Sequence, residues 1–234
     1  MTERRRQILQ ELNLLPVWRS KASAIQSIAP STDDFAGNAS LTQSPSIADM
    51  DWEQLQQTVT QCTRCPLHLT RTNTVFGIGD KQADWLFIGE GPGAREDELG
   101  EPFVGQAGKL LDQMLAAIRL KRGEQVYIAN IVKCRPPNNR NPSLTEAQQC
   151  EPYLNRQIAL IQPKLIVALG KVAAQNLLHN DDSISNLRGK VHNYSGIPLI
   201  VTYHPAYLLR SLPEKAKAWK DLCFAKSTMH SLIP

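Results

Sequence analysis

Four short apolar runs set the strongest limit on what this chain can fold into: "DWLFIGE", "QVYIANIV", "KLIVALG" and "IPLIVTYHP". Each is rich in Val, Ile or Leu and is apolar nearly throughout rather than at alternate positions. That is the signature of a strand buried on both faces. Between and around them lie segments with apolar residues at helical spacing: "MDWEQLQQTVTQC", "GQAGKLLDQMLAAIRL", "SLTEAQQCEPYLNRQIALI", "KVAAQNLL" and "PEKAKAWKDLCFAKSTMHSLI". Ser143 and Glu146 stand at capping-box spacing at the start of the third of these. Strands alternating with helices, joined by right-handed crossovers, predict an α/β fold. The expected form is three-layer α/β/α with a central, mainly parallel four-stranded sheet. In such sheets ligands bind at the carboxyl ends of the strands. The loops after Glu90, Asn130, Gly170 and Tyr203 are therefore the ones to inspect.

The 234 residues allow one domain of ordinary size, or one domain plus an appendage. Residues 1–22 read as a short amphipathic segment. Residues 23–47, rich in Ser, Ala, Thr and Pro, read as a flexible linker. The folded domain is expected over 48–234. No run reaches the roughly 20 apolar residues of a membrane span, and polar residues break the apolar stretch that follows the basic start, so no signal peptide is expected. A monomer in the bacterial cytosol follows as the expectation, with its thiols reduced. The formal charge of +4 permits a polyanionic partner without requiring one.

Four of the five cysteines form a pattern: Cys62-x-x-Cys65, then Cys134, then Cys150. A close pair grips a metal from one turn of chain, and two further thiolates complete a tetrahedral set. A structural zinc or a [4Fe–4S] cluster satisfies this set. Pro66 after Cys65 favours the cluster. Cys223, alone on an apolar helix face, is expected in the core.

The loop "GEGPGAREDELGEPFVG" carries Gly89, Gly91 and Gly93, which let the backbone approach a flat ligand. Its acids, among them Glu90 and Glu96, would repel a phosphate. In "NIVKCRPPNNRNP", Asn130 ends a strand, where its amide offers one donor and one acceptor to a heterocycle edge. Lys133, Arg135 and Arg140 follow with no acid between them, as a phosphate contact zone would. In "YHPAYLLR", His204 ends a strand and Arg210 closes the loop. Tyr207, Leu208 and Leu209 either wedge into stacked nucleic acid or begin a helix and pack inward. With the aromatic Phe103, the set suits an uncharged planar heterocycle attached to a polyanion.

These three loops, in this order and with these four cysteines, resemble the family 4 uracil-DNA glycosylases of the iron–sulfur type, over roughly residues 48–233. The resemblance implies excision of uracil from single- or double-stranded DNA in base excision repair. It implies a structural [4Fe–4S] cluster on Cys62, Cys65, Cys134 and Cys150, and an enzyme without lyase activity. It places Phe103 under the flipped uracil, with Gly91 against the ring. Asn130 then lies on the polar edge of the base and His204 on its O2. Glu90 and Glu96 are by the resemblance the acids of the site; from the loop residues themselves, Lys133, Arg135, Arg140, Leu208 and Arg210 are expected to meet the DNA. The alternative is an iron–sulfur module that binds uracil-containing or single-stranded DNA without turnover. Residues 1–22 resemble the peptide by which the psi subunit binds the bacterial clamp loader, which implies a replisome contact.

Overall fold

A computed structural model describes residues 46–232, together with Arg4. The expected partner peptide and linker at 1–22 and 23–47 lie outside these residues, Arg4, Ser46 and Ile47 apart; Ile47 opens a short 3₁₀ turn, Ile47–Asp49, capped by Ser46. In chain order the elements are α1 (Trp52–Thr60), β1 (Ile78–Gly79), β2 (Trp85–Gly89), α2 (Ala94–Leu99), α3 (Gln106–Ala117), β3 (Val126–Asn130), α4 (Leu144–Ile161), β4 (Leu165–Leu169), α5 (Lys171–Leu178), α6 (Ile184–Leu187), β5 (Val191–Tyr194), β6 (Ile197–Thr202), α7 (Pro205–Arg210) and α8 (Lys215–Leu232).

The sheet has six strands rather than the four expected, in the order β1-β3-β2-β4-β6-β5. The inner four are the four apolar runs, and each of their neighbour pairs is parallel. The two additions are short antiparallel edges, β1 on β3 and β5 on β6. They escape a search for apolar runs because an edge strand is not buried on both faces. β1 has only two residues, and three of the four in β5 reach solvent.

Side chains of each inner strand alternate between two cores. Leu86, Ile88, Ala129, Ile166, Ala168 and Val201 face the side covered by α1, α4 and α5. Phe87, Ile128, Leu165, Val167, Leu169 and Ile200 face α3, α7 and α8 on the other. Each large apolar side chain so buried contributes about 1.5–3 kcal/mol, which is why the two-sided apolar runs define the sheet. The helices follow the same logic. α4 opens on a complete capping box: Ser143 Oγ accepts from Glu146 N, and Glu146 Oε2 accepts from Ser143 N. In α8 the inward face carries Ala218, Asp221, Leu222, Ala225 and Met229. Cys223 falls one step off that face and is exposed, not in the core as expected.

One short helix replaces a stretch expected as a loop, and a second is the helix that the last loop left open as an alternative. α2 forms inside the Gly- and acid-rich loop, where Asp97 accepts from the backbone N–H groups of Thr72 and Asn73. α7 forms directly after His204. Among the described residues no helix is long and apolar enough to cross a membrane.

A candidate base-binding cavity and a cysteine site

β2, β3, β4 and β6 end at one rim of the sheet. There an open cavity of about 660 Å³ is lined by residues from all three suspected loops, including Glu90, Gly91, Glu96, Phe103, Asn130 and His204. Segments more than 100 residues apart in the chain thus meet at one place.

Asn130 is the last residue of β3, opposite Gly89 of β2. It is 2% exposed, and its Oδ1 is buried without a hydrogen-bond partner. A buried amide oxygen left unpaired costs roughly 1–3 kcal/mol. A fold retains such a group when a ligand completes it. Gly89 explains how the wall packs so closely. A Cβ there would lie 2.5 Å from Asn130 Oδ1 and 2.6 Å from Phe103 Cζ.

Phe103 is held in a left-handed conformation, φ 56°, which costs a non-glycine residue about 1–3 kcal/mol. Its neighbours offset that cost. Glu96 Oε1 accepts from Val104 N at 3.0 Å and Gly105 N at 2.9 Å. Arg122 donates to the carbonyls of Pro102 (2.9 Å) and Phe103 (2.8 Å), and also pairs with Asp112. Hydrogen bonds to charged groups contribute about 1.5–3 kcal/mol each, so four of them outweigh the strain. Gly108 lets the next helix approach, since a Cβ there would sit 1.7 Å from the Phe103 carbonyl oxygen. Sequence reasoning missed Arg122, which lies 19 residues from the ring it supports.

His204 caps the N-terminus of α7. Its Nδ1 accepts from Ala206 N at 3.2 Å. Burial, with a smaller push from Arg210 and against the opposing charge of Glu96, lowers its pKa to about 4. The ring is therefore neutral at pH 7. With Nδ1 occupied as an acceptor, Nε2–H is its donor. Gly170 makes room beside it: its φ is +94°, and a Cβ would come within 2.8 Å of His204 Cβ.

Glu90 is half-buried at the end of β2, and burial raises its carboxyl pKa. Gly91 passes close to the wall, where a Cβ would meet Val132 Cγ2 at 2.8 Å. Glu96, the other suspected acid, has one oxygen already committed to the Phe103 loop.

The suspected DNA contacts divide. Arg140 and Arg210 are exposed on the cavity rim, joined by Lys171, which sequence reasoning missed. Arg140 is also forked onto Glu146, at 2.8 and 2.6 Å. Arg135 is half-buried and donates to Asn139 Oδ1. Two expectations are corrected. Lys133 is 1% exposed and meets no solvent, because its side chain folds back beneath β3. Leu208 is 1% exposed, because α7 turns it into the core beside α3; Tyr207 and Leu209 are the exposed apolar residues of that helix.

The four patterned cysteines line one small cavity between α1, the segment after β3, and α4. Cys134 and Cys150 are buried, Cys62 and Cys65 half-buried. Burial raises the thiol pKa values of Cys65 and Cys134, and that of Cys150 to about 12. Thiolates at such a place need a cation to hold them. One is in place, since Arg71 Nη1 donates to Cys134 Sγ at 3.1 Å; the backbone N–H of Lys133 donates to Cys150 Sγ at 3.3 Å, and Lys133 lines the same cavity. Four sulfurs with donors directed at two of them fit a thiolate-bound metal group. Among the described residues no group of three or more His, Cys, Asp or Glu side chains is arranged to hold a single ion.

A strand-end cavity with an unpaired amide, an aromatic wall and a neutral histidine suits a protein that handles single bases. Comparison with known proteins gives the same class. A family model of the Uracil DNA glycosylase superfamily matches residues 76–224. The chain is 46% identical over 165 residues to the type-4 uracil-DNA glycosylase of Archaeoglobus fulgidus, covering 67% of this chain and 82% of that protein. It is 47% identical over 161 residues to the type-4 enzyme of Thermotoga maritima (68% and 83%), and 41% identical over 183 residues to that of Pyrobaculum aerophilum (74% and 92%). The chain belongs to the uracil-DNA glycosylase superfamily, and within it to the type-4 family.

Proposed function

We infer that this chain is a DNA repair enzyme that extracts uracil from the base stack and hydrolyses its N-glycosidic bond, leaving an abasic site. The observation that carries the reading is the orphaned Oδ1 of Asn130 in a cavity shared with Phe103 and His204. Uracil N3–H supplies the missing donor, and the amide N–H donates to O4. Cytosine presents the reverse pattern at those two positions. Uracil stacks on Phe103, beside Gly91.

Cleavage of the N1–C1′ bond leaves negative charge on the base and positive character on the sugar. The Nε2–H of His204 meets the charge developing on O2. One such prearranged donor is worth roughly 3–4 kcal/mol in the transition state. Glu90 faces the sugar and orients water. Glu96 acts through the loop it holds, as a positioning residue. Arg140, Arg210 and Lys171 receive the phosphates, with Arg135 behind them. Tyr207 and Leu209 take the place of the extruded base, which costs a few kcal/mol to remove from the stack.

Cys62, Cys65, Cys134 and Cys150 hold a [4Fe–4S] cluster, which when bound ties α1 and α4 to the segment that follows β3. Iron and sulfide analysis decides between this cluster and zinc. For the activity, incubation with single-stranded uracil DNA followed by alkali is the test. Strand breaks at the uracil mean excision. A shifted but uncleaved band means a binding module and overturns the enzyme reading.

A further inference from the structure

Lys133 is a buried lysine with no anionic partner of its own. Its Nζ donates to the backbone carbonyl of Asn130 at 3.0 Å. It takes part in none of the ion pairs among the described residues. A buried ammonium with one neutral acceptor is strongly disfavoured unless an opposite charge lies nearby. The groups that offer one are Cys134, its neighbour in the chain, and Cys150, whose Sγ accepts from the Lys133 backbone N–H at 3.3 Å; all three residues line the cysteine cavity. Only two residues separate Asn130 from Lys133, and Cys134 follows directly. The same short segment therefore ends β3, places the base-reading amide and grips the cluster.

We propose that Lys133 is a charged strut between the two sites: its ammonium holds the Asn130 peptide in place, and the thiolate-bound cluster supplies the negative charge that lets the ammonium stay buried. The proposal rests on the reading of Asn130 and the four cysteines given above. Lys133 is on this account a positioning residue. It touches neither uracil nor DNA. The cluster then does more than staple helices, because it stabilises the side chain that orients the base reader. Arg71 provides the contrast. It donates to Cys134 Sγ, the Cys62 carbonyl and the Thr60 carbonyl, and has no bond to Asn130.

The test uses the holoenzyme and three variants, Lys133→Met, Lys133→Gln and Arg71→Gln. Four quantities are measured on each: iron content, cluster reduction potential, affinity for free uracil, and excision kinetics. A nearby cation favours the reduced, more negative cluster, so loss of either cation shifts the potential downward. Lys133→Met is expected to shift the potential and to weaken uracil binding roughly tenfold. Its kcat falls similarly while KM for DNA holds, since the rim is intact. Lys133→Gln keeps a donor without charge; it regains part of the uracil affinity and none of the potential. Arg71→Gln shifts the potential alone.

An unchanged potential in Lys133→Met, or uracil affinity within about twofold of wild type, overturns the strut. So does an equal loss of uracil affinity in Arg71→Gln. Lys133 variants that keep native circular dichroism but fail to load iron support it. Unfolding of both Lys133 variants overturns it in favour of simple packing. Failure of the wild type to excise uracil would sink the enzyme reading, yet the potentials would still report on the strut.

Discussion

Phe103 and His204 stand with ring centroids 5.5 Å apart and planes inclined at 31°. A planar base sandwiched between two rings needs about 7 Å between them, two contact distances of roughly 3.5 Å. The rings are too close to form a slot. That spacing agrees with the proposed pose, in which the base lies on Phe103 and meets His204 at its edge. His204→Ala is expected to lower kcat by about 100- to 1000-fold, with the melting temperature nearly unchanged. Single-turnover excision and thermal unfolding check both halves.

Asn130→Ala separates function from stability. The substitution removes an amide whose oxygen is unpaired in the free protein. Excision should fall about 100-fold, while the melting temperature stays level or rises slightly. A large drop in stability would show that the amide has a structural duty.

Gly89→Ala should fill the cavity from below. Its Cβ would collide with both Asn130 Oδ1 and Phe103 Cζ. Uracil affinity is expected to fall at least tenfold, with nonspecific binding of undamaged DNA unchanged because the basic rim is untouched. Fluorescence titration with both ligands decides this.

The pH dependence follows from two groups with different signs. His204, pKa lowered to about 4, is already neutral from pH 5 upward, so its titration leaves the rate flat across neutral pH. Glu90, raised by burial, must be ionised, so the rate falls with acid sooner than an ordinary glutamate would dictate. Glu90→Gln should abolish that acid limb along with most of the activity. Arg210→Ala removes a cation that depresses the His204 pKa, and should raise it while weakening DNA binding.

Acid stability has its own marker. Glu146 is held at a pKa of about 2, mainly by Arg140, and by Ser143. A carboxylate depressed below its unfolded value stabilises the fold fully above about pH 4.5, and that contribution is lost as pH falls toward 2. Glu146→Gln should flatten the melting temperature over this window.

Much of this is legible in the sequence. The four inner strands were readable because burial on both faces leaves continuous apolar runs. The cysteines were readable because metal ligation needs particular residue types. Asn130 and His204 stood out as polar residues closing apolar strands. What escaped notice depends on contacts distant in the chain. Lys133 reads as a surface cation among arginines, and only the packing of α4 over it makes it internal. Leu208 follows from the rotation of a helix six residues long, too short for periodicity to reveal its inward side. Glu96 looks like a free acid until the backbone it receives, eight and nine residues on, folds over it. Arg71 and Arg122 carry no local signal at all.

Phe103 is clamped by Glu96, Arg122 and the approach at Gly108 before any nucleic acid arrives. A receptacle completed in advance spends nothing on rearrangement when the lesion enters.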